Sequence, residues 1–226
     1  MDYLNALILL LNYIFVPALA YGSQLAIGAI FVTLIYGILR FANFATGDMM
    51  SFGTMVAILF TWYFQSLGLS LGFLPTALLA IPFAILFMGL YMLIIDKFVF
   101  KYYRLNKSPP VQLAMVSIGV MFVTQAVVRI IIGPSDRRFF DGEKFLIKAN
   151  EFKEMTGLNE GLAIKSTQII TIVVTIILVS TLFWFLNKTK TGKSMRAYSD
   201  NEDLALLSGI DPKKIVMITW MIAAIL

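Results

Sequence analysis

The chain has 226 residues, of which 59% are hydrophobic and 14% are charged, and its formal net charge is +5. Soluble domains carry roughly 25% charged residues, so this composition indicates a protein embedded in a bilayer. The chain contains no cysteine and no histidine, which excludes disulfides, thiolate chemistry, histidine metal sites and histidine acid–base catalysis within it.

Charged residues are clustered along the chain. No Lys, Arg, Asp or Glu occurs within four long stretches, which are Tyr3–Leu39, Met49–Ile95, Ser108–Val128 and Ser166–Asn187. A helix needs about 20 apolar residues to cross the hydrocarbon core, so we predict an all-α, polytopic transmembrane bundle of about six or seven membrane segments. The basic residues collect at the edges of these stretches, and the positive charge therefore reports topology rather than nucleic-acid binding.

The first apolar run, Leu4–Ala20, ends near Pro17. It is predicted to be either a first crossing or an interfacial helix packed on the bundle, and both alternatives stay open. No basic residue precedes it, which argues against a signal peptide. The following run, Tyr21–Leu39, is predicted to span the membrane.

A polar break, Asn43-Phe44-Ala45-Thr46-Gly47-Asp48, separates two apolar runs. It is predicted to form a turn in which Asp48 caps the next helix and places negative charge at its positive end. A conventional cap explains Asp48 without a function. The alternative hypothesis is that Asn43, Gly47 and Asp48 lie near a translocation path.

Two further spans are predicted at Met49–Gln65 and Phe73–Ile95, joined by an uncharged outer turn at Ser66–Gly72. The second span leads into Asp96–Arg104, which we interpret as the beginning of a basic loop. This loop is predicted to lie on the cytosolic face, because one acid there is opposed by four basic residues: Lys97, Lys101, Arg104 and Lys107.

Val111–Ile132 is predicted to cross outward and carries Gln125 at membrane depth. A polar group there needs a partner or a wet cavity, so Gln125 either holds two helices together or lines a path. Residues 133–165 form a hydrophilic loop with six basic and six acidic residues. This balance fits an extracytoplasmic position, and Ser166–Asn187 then returns to the inside.

The segment 188–214 is predicted to be a cytosolic loop. It contains Gly192-Lys193-Ser194, a triplet that is also found in phosphate-binding loops. Such a loop needs a glycine five residues earlier, where Asn187 stands, and a β-strand before it. We therefore reject ATP binding by this chain and interpret the basic residues as cytosolic anchors.

The same segment carries the signals of a two-turn helix at residues 200–208. Ser199 and Glu202 have the spacing of a capping pair, and Asp200 and Asp203 supply negative charge at the helix start. Leu204–Leu207 gives this helix an apolar face. The helix is expected to lie across the membrane surface.

The predicted helix has a clear stop signal. Gly209 is placed for a left-handed C-terminal cap, and Asp211-Pro212 for the N-cap and first residue of the next helix. That last run, Ile215–Leu226, has 12 residues, or roughly 18 Å of helix, and cannot finish a crossing. We therefore expect the chain to be C-terminally truncated.

The cytosolic segment resembles that of ABC importer permeases of the branched-chain amino acid type, in particular the smaller, H-type subunit. The resemblance depends on the order of Gly192, Arg196, Ala197, Asp200, Ala205, Gly209 and Ile210. The break at residues 43–48 is similar to the family's Asn-Phe-Ala-His-Gly-Glu signature, with Thr46 in place of His and Asp48 in place of Glu. Weaker matches occur at Asp96–Arg104 and around Gln125.

The resemblance implies a permease subunit of an ABC importer for branched-chain amino acids or similar small polar solutes, in a bacterial inner membrane. Such a subunit needs no cofactor. It is expected to pair with a second permease, two ATP-binding subunits and a periplasmic solute-binding protein at residues 133–165, within membrane lipid. The ATPase-docking residues that the family pattern implies are Arg196, Asp200, Ala205, Leu206 and Gly209.

Two alternatives to this interpretation remain. A secondary transporter usually carries ionisable groups within its helices, and these spans are almost free of them. A channel could instead use polar Gln, Thr and Ser side chains to line a pore. Within the importer class, urea and short amides are alternative substrates.

Overall fold

The computed structural model describes residues 2–69, 71–72, 74–135, 137, 145–157 and 160–226. These residues are mostly helical, and the predicted all-α class is confirmed. A two-stranded sheet of β1 (Phe145–Ile147) and β2 (Ile164–Lys165) lies within the segment predicted to be an outer loop.

The first helix continues through the proline at which it was predicted to end. α1 (Asp2–Leu10) passes through a π-helical segment (Leu11–Phe15) into α2 (Val16–Leu39). Pro17 has no N–H to donate to an α-helical bond. The preceding turn is wider and closes on a bond from the Val16 N–H to the Leu11 carbonyl, which is the π-helical pattern. The predicted break near Pro17 is therefore wrong.

The predicted span Phe73–Ile95 and the basic segment that follows it form one helical run. α3 (Thr46–Ser66) is followed by α4 (Ala77–Ile95), a π-helical segment (Asp96–Phe100) and α5 (Lys101–Leu105). The basic segment predicted to be a loop is thus helical as far as Leu105. The helix can continue because its first charged residue, Asp96, forms an ion pair with Arg104, eight residues further along the same helical run.

The outer segment contains regular structure between two membrane helices. α6 (Pro110–Ile132) is followed by β1 (Phe145–Ile147), α7 (Ala149–Thr156), β2 (Ile164–Lys165) and α8 (Ser166–Lys188). The side-chain amide of Asn12, in the π-helical segment between α1 and α2, pairs with this segment. It accepts from the Ala163 N–H at 3.2 Å and donates to the Gly161 carbonyl at 3.5 Å. Residues 136, 138–144 and 158–159 of the predicted loop lie outside the described residues.

The last part of the chain holds one helix that sequence reasoning missed. α9 (Lys190–Asp200) precedes α10 (Glu202–Leu207) and α11 (Pro212–Ile225). The start of α11 is confirmed, because Asp211 accepts the Lys213 N–H at 2.9 Å and Pro212 is the first helical residue.

Among the described residues, four helices are long and apolar enough to cross a membrane. They are Tyr3–Leu39, Ala77–Leu105, Pro110–Ile132 and Ser166–Lys188. α3 falls short of this group, since its Ser, Thr, Gly and Gln residues lower its mean hydropathy. The total of six or seven membrane segments stays a prediction.

The chain forms two compact units. One comprises residues 1–29, 71–75 and 140–181, and the other residues 30–70, 76–139 and 182–226. The second unit has two hydrophobic clusters. The larger one is centred on fully buried side chains from α2 to α11, namely Phe31, Ile35, Phe41, Met49, Met92, Phe100 and Trp220. The smaller one packs α9 and α10 against α2 and α11 through Leu34, Ile38, Met195, Tyr198, Ala205 and Ile215.

Candidate functional site

The turn from α8 into α9 is built around Thr189 and Gly192. The Thr189 hydroxyl oxygen accepts the Gly192 N–H at 2.9 Å and so caps α9. A Cβ at position 192 would overlap the backbone of Phe185 and Leu186, so only glycine fits this close approach. The Gly-Lys-Ser triplet therefore lies in the first turns of a helix that follows another helix.

α9 is held against the end of α2 by polar and apolar contacts. Met195 on α9 is fully buried in the smaller cluster. The Ser199 hydroxyl donates to the Gly37 carbonyl at 2.7 Å. The Arg40 guanidinium donates to the carbonyl of Ser199 and, at 3.0 Å, to that of Asp200. These bonds occupy the carboxyl end of α9, where a positive charge is favourable.

α10 begins with a cap different from the predicted one. Asn201, in an extended conformation, accepts the Leu204 N–H at 3.1 Å through its side-chain oxygen. The predicted capping pair of Ser199 and Glu202 is wrong, because Ser199 lies inside α9 and is bonded to α2. Glu202 instead accepts from the Tyr198 hydroxyl at 2.8 Å. Burial, followed by the Glu202 contact, raises the pKa of Tyr198 well above its usual range.

The predicted end of α10 is confirmed. Gly209 has a φ of +80°, a left-handed conformation that favours glycine. The Ile210 N–H donates to the Ala205 carbonyl at 3.1 Å, and the Gly209 N–H to the Leu206 carbonyl at 3.0 Å. This pair of bonds is the Schellman motif, and it fixes the direction in which the chain leaves the helix.

The outer face of α10 is apolar and exposed. Leu204, Leu206 and Leu207 are 61%, 43% and 85% exposed, whereas Ala205 is 3% exposed and faces the smaller cluster. Of the predicted docking residues, Leu206 and Gly209 therefore lie on the open surface and Ala205 lies beneath it. These three leucines give α10 an exposed apolar patch.

The other two predicted docking residues lie on α9. Asp200 is exposed at its last position, and Arg196 is exposed one turn earlier. The Arg196 guanidinium donates to the side-chain oxygen of Asn187 on α8 at 2.9 Å. Both side chains remain accessible beside α10.

The polar break at residues 43–48 is a turn held by Asn43. The side-chain oxygen of Asn43 accepts the Ala45 N–H at 3.1 Å, and its carbonyl accepts the Thr46 hydroxyl at 2.5 Å. Ala45 is the N-cap residue of α3, and no side chain caps this helix. The predicted capping bond from Asp48 is therefore wrong. Its predicted charge placement is confirmed, since Asp48 lies in the first turn of α3.

This turn is anchored to α6. The Phe44 N–H donates to the hydroxyl of Ser117 at 2.9 Å, and that hydroxyl donates to the Ala114 carbonyl at 2.6 Å. Ser117 is fully buried. In the sequence, Ser117 is only a polar residue within a predicted span. Its bond to Phe44, 73 positions away, cannot be predicted from the neighbouring residues.

One face of α3 carries small and hydroxylated residues. Gly47, Ser51 and Thr54 are exposed along it, and the two hydroxyls donate to carbonyls within the same helix, at 3.1 and 3.0 Å. A groove of about 430 Å³ lies between this face and the end of α6, where Arg129 lines it. Gln125 is half-buried on α6 and lies outside the groove.

A charged junction joins α4, α5 and α11. Arg104 binds Asp96 through two bonds of 2.6 and 2.8 Å, and the Trp220 indole N–H donates to the same carboxylate at 2.8 Å. Trp220 is fully buried and stacks on Phe100, with ring centroids 5.8 Å apart. Sequence reasoning assigned Asp96 and Arg104 to a loop and did not find this junction.

A family model described as the permease component of the branched-chain amino acid transport system matches residues 14–226. The chain belongs to this permease family. Among known proteins, the permease is similar to LivH, the high-affinity branched-chain amino acid transport system permease protein of Escherichia coli K12. The two are 26% identical over 207 residues, which cover 90% of this chain and 63% of LivH.

Other relatives give the same result. LivH of Salmonella typhimurium is 26% identical over 207 residues, with the same coverage of 90% and 63%. BraD of Pseudomonas aeruginosa is 25% identical over 213 residues, which cover 93% of this chain and 66% of BraD. The chain thus spans about two thirds of the length of these relatives. No solved structure matches the chain significantly.

The permease is a multi-pass bacterial inner-membrane protein, as its family membership and its apolar helices show. The family resemblance that the sequence motifs implied is confirmed.

Proposed function

We propose that this permease is a membrane-spanning subunit of an ABC importer for branched-chain amino acids or related small polar solutes, driven by separate ATPase subunits. The observation that carries the proposal is α10. This short helix has an exposed leucine face, a side-chain cap at its start and a Schellman motif at its end. It lies in the segment that the positive-inside rule assigns to the cytosol.

The proposed role of α10 is to receive motion from an ATPase. Leu206 and Gly209 would contact the motor subunit together with Leu204 and Leu207, while Arg196 and Asp200 would border the contact. Ala205 would support it from below, because its 3% exposure leaves no surface for a partner.

Displacement of α10 can reach the membrane helices along two routes. One leads through α9 to α2, by way of the bonds of Arg40 and Ser199. The other leads through α11 to α4, by way of the bond between Trp220 and Asp96. Both routes connect rigid helices through packed contacts, which is how a local push moves a whole element.

The solute path is proposed to follow the polar face of α3. Asn43, Gly47 and Asp48 would lie at its start, and Ser51 and Thr54 continue it. Polar side chains at membrane depth are tolerated where they face water or a partner. Gln125 lies outside the adjoining groove and is proposed as a contact between helices.

The complete importer is proposed to contain a second permease, two ATP-binding subunits and a periplasmic solute-binding protein. The binding protein would approach the outer segment that holds β1, β2 and α7. Within the described part of this segment, β1 pairs with β2, and Asn12 bonds to Gly161 and Ala163.

The test of the proposal is Leu207→Asp, which replaces an 85% exposed leucine by a charge. We expect the ATPase subunits to be lost from the purified complex and uptake to fall, while the melting temperature is unchanged. Tyr102→Asp is the matched control, since Tyr102 is 64% exposed on the same predicted side but lies outside α10. Retention of the ATPase and full uptake in Leu207→Asp would exclude docking at α10. Uptake without any ATPase would favour a channel or secondary transporter.

A further inference from the structure

A cavity of about 440 Å³ opens between the end of α4, α5 and the start of α11. Four basic residues line it, namely Lys97, Lys101, Arg104 and Lys213. The cavity lies where the apolar run of α4 gives way to charged residues, which is the predicted cytosolic edge of the membrane. Asp96 in its lining also belongs to the proposed route from α11 to α4, but no molecule bound in the cavity is part of that route.

The acidic residues of the cavity already have partners. Asp96 accepts bonds from Arg104 and Trp220, and Glu202 accepts the hydroxyl of Tyr198. The Asp96 and Arg104 charges cancel, which leaves three lysines against Glu202. Within the described residues, none of these three ammonium groups forms a salt bridge. All three lysines are exposed, so their positive charge is available to an anion.

The rest of the cavity is apolar and continues onto the outer surface of the helices. Leu93 and Val216 form part of its wall, and Leu105 and Met217 are 67% and 49% exposed beside them. A ligand that matches both parts must combine a negative head with an apolar tail.

We propose that this cavity binds an anionic phospholipid of the cytosolic leaflet. Its phosphate contacts Lys97, Lys101 and Lys213, and an acyl chain lies along Leu93 and Met217. Basic cavities between membrane helices attract such head groups on the cytosolic side. An acidic protein surface fits less well, because it offers nothing to the exposed apolar wall. The inference depends on the membrane orientation and is independent of ATPase docking.

The experiment is native mass spectrometry of the purified full-length protein in an uncharged detergent, with equal amounts of phosphatidylglycerol and phosphatidylcholine added. We expect preferential retention of phosphatidylglycerol. Each Lys→Gln change at positions 97, 101 and 213 should weaken it about fivefold, and the triple variant on the order of 100-fold. The matched control is Lys188→Gln/Lys190→Gln/Lys193→Gln, which removes the same charge at exposed sites outside the cavity. It should retain the lipid.

Four results would overturn the inference. Equal loss of lipid in both triple variants would mean a general charge effect. Equal retention of the two lipids by the parent protein would remove the anion preference. Displacement of the lipid by millimolar inorganic phosphate would assign the site to the free anion. If the importer complex purified with the triple cavity variant loses its ATPase while phosphatidylglycerol retention is unchanged, the cavity is a protein contact and not a lipid site. If the triple variant fails to fold, the three single variants decide by the same criteria.

Discussion

The bond between Trp220 and Asp96 yields the most quantitative prediction. Trp220→Phe keeps an aromatic ring beside Phe100 but removes the indole N–H that donates to the Asp96 carboxylate at 2.8 Å. Trp220 is fully buried and the Asp96 carboxylate is only 14% exposed, so water replaces the lost donor only in part. A hydrogen bond to a charged group contributes about 1.5–3 kcal/mol. At about 2–4 °C per kcal/mol for a chain of this size, the melting temperature should fall by roughly 3–12 °C.

The measurement is thermal unfolding of the detergent-solubilised protein, followed by far-UV circular dichroism. Trp184→Phe is the matched control, because Trp184 is 60% exposed on α8 and its loss should have little effect. A shift in Trp220→Phe no larger than in this control would refute the proposed contribution of the bond.

A double variant tests whether the carboxylate is shared. Asp96→Asn keeps an oxygen for the indole but removes the charge that binds Arg104. The two side chains of that ion pair are 14% and 22% exposed, so its loss should cost about 1–3 kcal/mol, between the values for exposed and buried pairs. The effects of Trp220→Phe and Asp96→Asn should be less than additive, by about 0.5 kcal/mol or more. Strict additivity would mean that the two bonds are independent.

Two further predictions concern the cytosolic helix and the polar turn. Gly209→Ala should destabilise the protein by about 1–2 kcal/mol, because φ is +80° at this position and alanine is strained there. Gly119→Ala, in the middle of α6 with open space around the added methyl group, should be neutral or stabilising, and equal melting temperatures for the two would contradict this. Asp48→Asn removes the charge in the first turn of α3 and should reduce solute uptake while the complex stays assembled. Unchanged uptake would exclude Asp48 from the path.

The features that sequence reasoning found correctly are local ones. Gly209 and Asp211 terminate and start helices through bonds to residues within four positions, so the signal lies in a short stretch of sequence. Each of the described helices that can cross a membrane likewise overlaps one of the four charge-free stretches, since length and polarity alone decide that property. The permease family was recognised from motifs of the same local kind.

The errors arose where a side chain had a choice of partners. Ser199 had the spacing of a cap, but its hydroxyl bonds to Gly37, 162 positions away. Asp48 had the position of a cap, but Asn43 holds the turn. Asp96 began a basic segment that looked like a loop, and pairing with Arg104 and Trp220 allows the helix to continue.

The sequence by itself determined the membrane class, the helical content and the edges of several helices, because hydropathy and capping act over short distances along the chain. Only the tertiary structure decided which polar groups meet, such as Trp220 and Asp96 across 124 positions, and which leucines of α10 stay exposed. A buried donor bonds to whichever acceptor packing brings within about 3 Å, and that neighbour is set by the fold of the whole unit.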